Sequence, residues 1–393
     1  MSLMLMEFLS SQIFFCVLLF TTFMNPPAVV FSNPTKACDF PAIFNFGDSN
    51  SDTGGLAAAF LQPGPPHGDT YFGRPAGRFS DGRVILDFIA QNFSLPYLSA
   101  YLNSLGANYS YGASFATLAS TIRLPTSVMP NGRSSPFFLE LQYVQFQQFK
   151  SRSQFIREQG GLFATLMPKE EYFSRALYTV DIGQNDITVG FYDDNITMQD
   201  VHHSVPDIIK TLVENVKLLY DLGARSFWIH NTGPIGCLPD ILTRFPKAER
   251  DRYGCATQYN EVAEYFNQNL KEALAQLRGK LPLAAITYVD IYSPKLDLFR
   301  NPEKYGFELP LINCCGYGGK YNYSPGGCGG KTKNEAGKEI FVGSCERPST
   351  KVIWDGTHYT EAANKVVFDL ISTGNFSDPP IPLNMSCNRN YIK

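Results

Sequence analysis

The stretch Ala42-Ile43-Phe44-Asn45-Phe46-Gly47-Asp48-Ser49-Asn50-Ser51-Asp52-Thr53-Gly54-Gly55 decides how the rest of the chain is read. Ala42 to Phe46 is a short apolar run of the kind that forms a buried strand. Gly47-Asp48-Ser49 then turns out of it, because Gly, Asp and Ser each favour turns. A strand that ends in a polar turn is the local unit of a sheet whose reacting groups gather at the strands' carboxyl ends.

The same rhythm recurs outward from this stretch. Arg83 to Asn92 has helical spacing, and a long amphipathic stretch runs from Phe137 to Glu158. Ala176 to Asp181 reads as a strand ended by Gly183. Val205 to Leu222 reads as a helix stopped by Gly223. Ser226 to Asn231 is a strand, Ala256 to Arg278 the longest helical run, and Ala284 to Asp290 another strand. Glu361 to Ser372 is the last helix, with Thr360 placed to cap it. Strand and helix alternating in this way predict an α/β fold, a three-layer α/β/α sandwich with a central, mainly parallel sheet. With no internal repeat and no linker, residues 33–393 are expected to form a single domain. The tail from Asp378 to Lys393 is expected to wrap the surface.

The chain has 393 residues and a net charge of -3, with 33 basic against 36 acidic side chains. It has no basic patch of the density that phosphate backbones require, so a nucleic-acid partner is not expected. Ile13 to Phe20 is an unbroken apolar run too short to span a bilayer, and residues 1–32 read as a secretory signal. Glu7 and the lack of Lys or Arg depart from the usual leading region. No tail anchor is visible, so no stable membrane anchor is expected. Of nine cysteines, Cys16 lies in this leader. The other eight, an even number, point to disulfides in an oxidising compartment. Cys237 with Cys255 is the first expected pair. The Cys314 to Cys345 cluster has no Cys-x-x-Cys pair and no nearby His to complete a zinc site, so no metal or other cofactor is expected. Asn92, Asn108, Asn195, Asn322, Asn375 and Asn384 each open an Asn-x-Ser/Thr glycosylation signal. Together these features predict a secreted glycoprotein.

Asp355 and His358, in Trp354-Asp355-Gly356-Thr357-His358, are the other informative pair. A serine hydroxyl is a weak nucleophile that needs an imidazole to take its proton. The imidazole needs its second nitrogen held, which a carboxylate does. Ser49 alone is an ordinary turn residue. Of the five histidines, His202 and His203 read as solvated, His67 as a loop residue and His230 as packed core. Only His358 has a carboxylate three residues before it. Asn185, in Gly183-Gln184-Asn185-Asp186, follows a strand and can donate to a developing oxyanion. The Gly-x-Ser-x-Gly elbow is absent.

Three of these blocks, with a fourth described below, resemble the GDSL esterase/lipase family of the SGNH-hydrolase superfamily. The serine turn is similar to its first block, Gly183 to Asp186 to its Gly-x-Asn-Asp block and Asp355 to His358 to its Asp-x-x-His block. Gly73 to Arg83 and Cys314-Cys315-Gly316 resemble the plant secreted branch, which includes early-nodulin-type esterases of the apoplast or cell wall. The resemblance implies that Ser49 is the nucleophile and one oxyanion donor through its N–H. It implies that His358 is the base, Asp355 its orienting carboxylate and Asn185 a side-chain donor. The family's second block is matched by Gly112 to Ser120, with Ala119 where the donor glycine would stand and Gly112 as the weaker candidate. The implied substrate is a small-molecule or polysaccharide ester: a lipid acyl ester, an acetylated sugar or an acylated plant metabolite. The same residues serve an acyltransferase, and a non-catalytic glycoprotein would retain the fold. A glycosidase would need two opposed carboxylates, roles for which Asp48 and Asp355 are candidates with no spacing set by the sequence.

Overall fold

Strand β1 (Ile43–Gly47) is buried at all five positions, and so are β3 (Leu177–Asp181), β4 (Ser226–His230) and β5 (Ala285–Val289). A strand buried on both of its faces must be covered by another layer on each side. In this computed structural model, which describes residues 37–389 except 61, 130–132 and 324–326, those layers are helical. The expected signal segment, residues 1–32, lies outside the described residues.

With β2 (Gly112–Ser114) and β8 (Ser377–Asp378) the sheet has six strands in the order β2-β1-β3-β4-β5-β8. All pairings are parallel except that of β5 with β8. A separate hairpin, β6 (Lys331–Lys333) with β7 (Glu339–Phe341), lies outside it. The main covering helices are α1 (Ile85–Asn92), α2 (Leu139–Gln159), α3 (Gln184–Phe191), α4 (Met198–Asp221), α5 (Thr257–Lys280) and α6 (Glu361–Ile371). Helix α4 packs against α2, α3 and α5, and α1 packs against α6. The molecule is the mainly parallel three-layer sandwich that the alternation of elements predicts.

The turn after β1 is held by its neighbours. Phe44 stacks on Phe173 at 5.0 Å and Phe46 on Phe115 at 5.3 Å. Between them Asn45 is buried; its amide donates to Ser51 and Ser114, and its oxygen accepts from Thr179. One side chain thus ties β1 to β2, β3 and the turn. Gln142 of α2 clasps Gly47, accepting from its N–H at 2.9 Å and donating to its carbonyl at 2.8 Å. A Cβ on Gly47 would lie 2.4 Å from Ser51 Oγ and 2.6 Å from the Asp181 carbonyl, so only glycine fits.

Three expectations are corrected. Helix α4 begins at Met198, seven residues before the expected start. Thr197 and Asp200 cap it reciprocally, and Pro206 lies inside it. The polar run around His202 and His203 hides this first part from a reading of apolar spacing. His203 is exposed as expected, but His202 stacks on Tyr265 at 3.8 Å. The tail also does more than wrap. Ser377 and Asp378 extend the sheet, and Cys387 is bonded to Cys38. The expected Cys237–Cys255 disulfide is present. The Cys314 to Cys345 cluster forms two disulfides, Cys314–Cys345 and Cys315–Cys328.

Candidate active site

The turn leaving β1 places Asp48 and Ser49 at the carboxyl end of the sheet. The Asp48 N–H donates to the Asp181 carbonyl of β3 at 3.0 Å, and Asp48 Oδ1 accepts from both the backbone and the side-chain nitrogen of Asn50. Ser49 is 4% exposed. Neither its N–H nor its hydroxyl has a hydrogen-bond partner among the described residues.

The second half of the site is a tight turn closed by the Trp354 N–H donating to the His358 carbonyl. Asp355 Oδ1 accepts from the backbone N–H groups of Thr357 and His358. The same carboxylate grips the His358 ring, with Nδ1 at 2.8 Å from Oδ1 and 2.7 Å from Oδ2. Burial alone would raise the Asp355 pKa. The His358 ring, with a smaller contribution from His67, instead holds it far below the usual carboxylate range. His358 Nε2 is buried and free of hydrogen bonds among the described residues. No hydrogen bond joins it to Ser49. The charge of His358 is felt, as a minor lowering effect, at Asp48, the neighbour of Ser49. Burial, then the charge of Asp181, pushes Asp48 up to about 7.

Asn185 stands in the first turn of α3, two residues past Gly183. Its Nδ2 donates to the Ser120 carbonyl at 2.9 Å and to Asp48 Oδ2 at 3.2 Å. This brings Asn185 to the turn that holds Ala119. The next residue, Asp186, accepts from the N–H groups of Ile122 and Arg123. Asp52 accepts from Gly54, Gly55, Leu56 and Leu118. Two buried carboxylates therefore fix both sides of the Ala119 turn. Ala119 has φ of 59°, the left-handed region that favours glycine, and its N–H has no protein partner among the described residues. Gly112 is excluded as a donor, because it opens β2 at the amino end of the sheet and its N–H is given to the Tyr109 carbonyl.

Three residues escaped the sequence reading. His230 is buried in β4 as expected, but its Nδ1 lies 3.2 Å from Asp181 Oδ2. Lys295 is 1% exposed, in the field of Asp181 and Asp48, and burial lowers its pKa. His67 is on a loop as expected, yet it is buried 4.0 Å from Asp355. No local pattern marks any of them, since each acquires its partner only through the fold. Of the six glycosylation signals, Asn92, Asn108, Asn195, Asn375 and Asn384 are exposed. Asn322 is half-buried, and its Nδ2 donates to the Asn313 carbonyl. Among the described residues no helix is long and apolar enough to cross a membrane.

The mainly parallel sandwich, with a serine turn at the carboxyl end of β1 and an imidazole held by a carboxylate in a second turn, has the parts of a hydrolase. The chain belongs to the GDSL-like lipase/acylhydrolase family, whose model matches residues 43–371. It is accordingly a carboxylic ester hydrolase. It is 63% identical to "GDSL esterase/lipase ENOD8" of Medicago truncatula, over 90% of this chain and 92% of that one. It is 62% identical to "Esterase" of Hevea brasiliensis, over 90% and 91%. It is also 53% identical to "Alpha-L-fucosidase 3" of Arabidopsis thaliana, over 87% and 93%.

Proposed function

We propose that this enzyme cleaves carboxylic esters through an acyl-enzyme on Ser49. His358 Nε2 takes the hydroxyl proton as Ser49 Oγ attacks the ester carbonyl. Asp355 stabilises the imidazolium that forms. The N–H groups of Ser49 and Ala119 and the amide of Asn185 receive the oxyanion. His358 then protonates the departing alcohol, and water activated by the same ring releases the acid. The observation that carries this reading is the His358 ring itself: Asp355 fixes Nδ1, while the buried Nε2 has no partner among the described residues. The hydrogen bond from Ser49 closes when substrate binds, as such contacts tighten in the reacting complex.

The test is covalent labelling by an organophosphate. The wild type should be modified at Ser49 and lose activity, and Ser49→Ala should be neither labelled nor active. Labelling at another serine would place the nucleophile elsewhere. The substrate class of lipid acyl, acetyl-sugar or acylated plant metabolite is narrowed by a chain-length series of p-nitrophenyl esters run beside acetylated xylan. An added acceptor alcohol separates hydrolysis from acyl transfer. One relative's name raises a glycosidase reading, but Asp355 is engaged by His358, and Asp48 is 1% exposed at the base of the turn. Hydrolysis of p-nitrophenyl fucoside that survives Ser49→Ala would favour that reading.

The same proposal includes export to the apoplast or cell wall as a single hydrolase domain, residues 33–393, after removal of residues 1–32. Four disulfides and five exposed glycosylation signals support it. Amino-terminal sequencing of the mature protein tests the cleavage, and a mobility shift on deglycosylation tests the glycans.

A further inference from the structure

His67 follows Gly64-Pro65-Pro66, far in sequence from Asp355, yet the fold seats its ring beside the turn that carries His358. The ring packs edge-on to Phe79 at 6.0 Å and to Trp354 at 5.8 Å. Phe79 in turn lies 5.5 Å from the His358 ring, so the two imidazoles flank one phenyl group. His67 Nε2 is 4.0 Å from Asp355 Oδ2. We propose that His67 is a positioning residue of the reaction: a second imidazole that holds the Asp355 carboxylate in register with His358. This rests on the Ser49–His358–Asp355 reading above.

The neighbours of the ring carry the inference. Nδ1 lies 3.1 Å from the Gly64 carbonyl oxygen, which only accepts, so Nδ1 bears a hydrogen. Cys328 Sγ, 3.9 Å from the same nitrogen, is bonded to Cys315 and has no hydrogen to give. Nε2 faces a carboxylate oxygen, which again only accepts. A neutral imidazole has one N–H and would turn a lone pair toward one of these two oxygens. At 4.0 Å Nε2 bears on the carboxylate by close approach and not through a direct hydrogen bond. Asp355 is then flanked on two sides, held by His358 Nδ1 at 2.7 Å and faced by His67 Nε2 at 4.0 Å. That flanking limits rotation of the carboxylate, and the carboxylate sets the direction of His358 Nε2. A side chain that merely filled the space between Phe79 and Trp354 could be replaced by another aromatic ring without effect on turnover.

The experiment compares wild type, His67→Phe and His67→Gln for kcat, KM, melting temperature and organophosphate labelling of Ser49. Phenylalanine keeps the packing and removes the ring nitrogens; glutamine restores a polar group on the Asp355 side. His67→Phe should lose on the order of ten- to a hundred-fold in kcat with little change in KM, as misdirected catalytic groups do. His67→Gln should recover most of the loss. Equal kcat in wild type and His67→Phe, with Ser49 still labelled, overturns the role of His67 and leaves the serine reading intact. Losses that track melting temperature alike in both variants reduce His67 to packing and also overturn it. An active wild type not labelled at Ser49 removes the reading and this proposal together. If His67→Phe does not fold, proton NMR decides. The wild type should show a downfield N–H resonance from the His358 ring bound to Asp355, and it should shift or broaden in His67→Ala; an unmoved resonance in that folded variant overturns the proposal.

Discussion

Asn185 is held by the two groups it would have to leave, in part, to serve an oxyanion: the Ser120 carbonyl and Asp48. Its amide is held at the serine turn, and losing it should cost about 100-fold or more in kcat with the fold intact. Steady-state rates of Asn185→Ala beside an unchanged circular dichroism spectrum check this; near-normal turnover removes Asn185 from the chemistry. Asp48 gives a second prediction, on stability. Burial and the charge of Asp181 push it from the usual 3.8 up to about 7. Between those values the folded chain keeps a proton that the unfolded chain has lost. The contribution of Asp48 to stability therefore falls as pH rises through that window and levels off above it. Asp355, held low, has the opposite sign: its contribution is present above the usual carboxylate value and is lost only in strong acid. Melting temperatures from about pH 4 to about pH 8 should show a flatter decline in Asp48→Asn than in wild type. An unchanged slope would mean that Asp48 titrates normally. At this scale the sequence was legible where the chemistry sits in one turn. Asp355 and His358 are three residues apart, and Asn185 follows a strand-ending glycine. His67, Lys295 and His230 were opaque, because their partners come from distant segments.

Elements were readable in proportion to their length. β1, β3, β4 and β5 are five-residue, largely apolar strands buried throughout, and each was expected within a residue or two. β2 and β8, with three and two residues, are too short to show alternation, and sheet neighbours define them. Helix α6 was marked by its cap, since Thr360 Oγ1 accepts from the Ala363 N–H as expected. Helix α3 shows how an element delivers function. Gly183 precedes it with φ of 123°, and a Cβ there would lie 2.6 Å from the Phe266 ring. Gly183→Ala would suffer both the disfavoured backbone and the contact, and it would have to shift the start of α3. It should lose more than about 1 kcal/mol of stability, and activity as well, because Asn185 moves with the helix. Urea melts and esterase rates on one preparation decide this. Full activity in the variant would show that the α3 start tolerates a side chain.

Across the whole molecule three of the four disulfides divide by which part of the fold they serve. Cys38 precedes β1 and bonds to Cys387, with a sequence separation of 349, and the Cys38 N–H also donates to the Asn384 carbonyl. This bridge joins the two ends of the described chain at the amino side of the strands, away from Ser49. The other group lies behind the Asp355 turn. Cys314 and Cys315 donate their N–H groups to the carbonyls of Ile353 and Trp354, and each is disulfide-bonded within the same loop. The two groups should therefore fail differently. Replacing both Cys38 and Cys387 by serine should lower unfolding free energy by about 2–5 kcal/mol through the loop it frees, with kcat at room temperature near wild type. Replacing both Cys315 and Cys328 frees a loop of only 13 residues of separation, yet it loosens the segment that sets the direction of the Asp355 carboxylate. Its cost in kcat should exceed that of the longer bridge even though its entropic effect on the unfolded chain is smaller. Denaturant unfolding and steady-state rates on both double variants test the division. Equal loss of kcat in the two would mean that the bridges act only through overall stability and that the Asp355 turn keeps its shape without its staple.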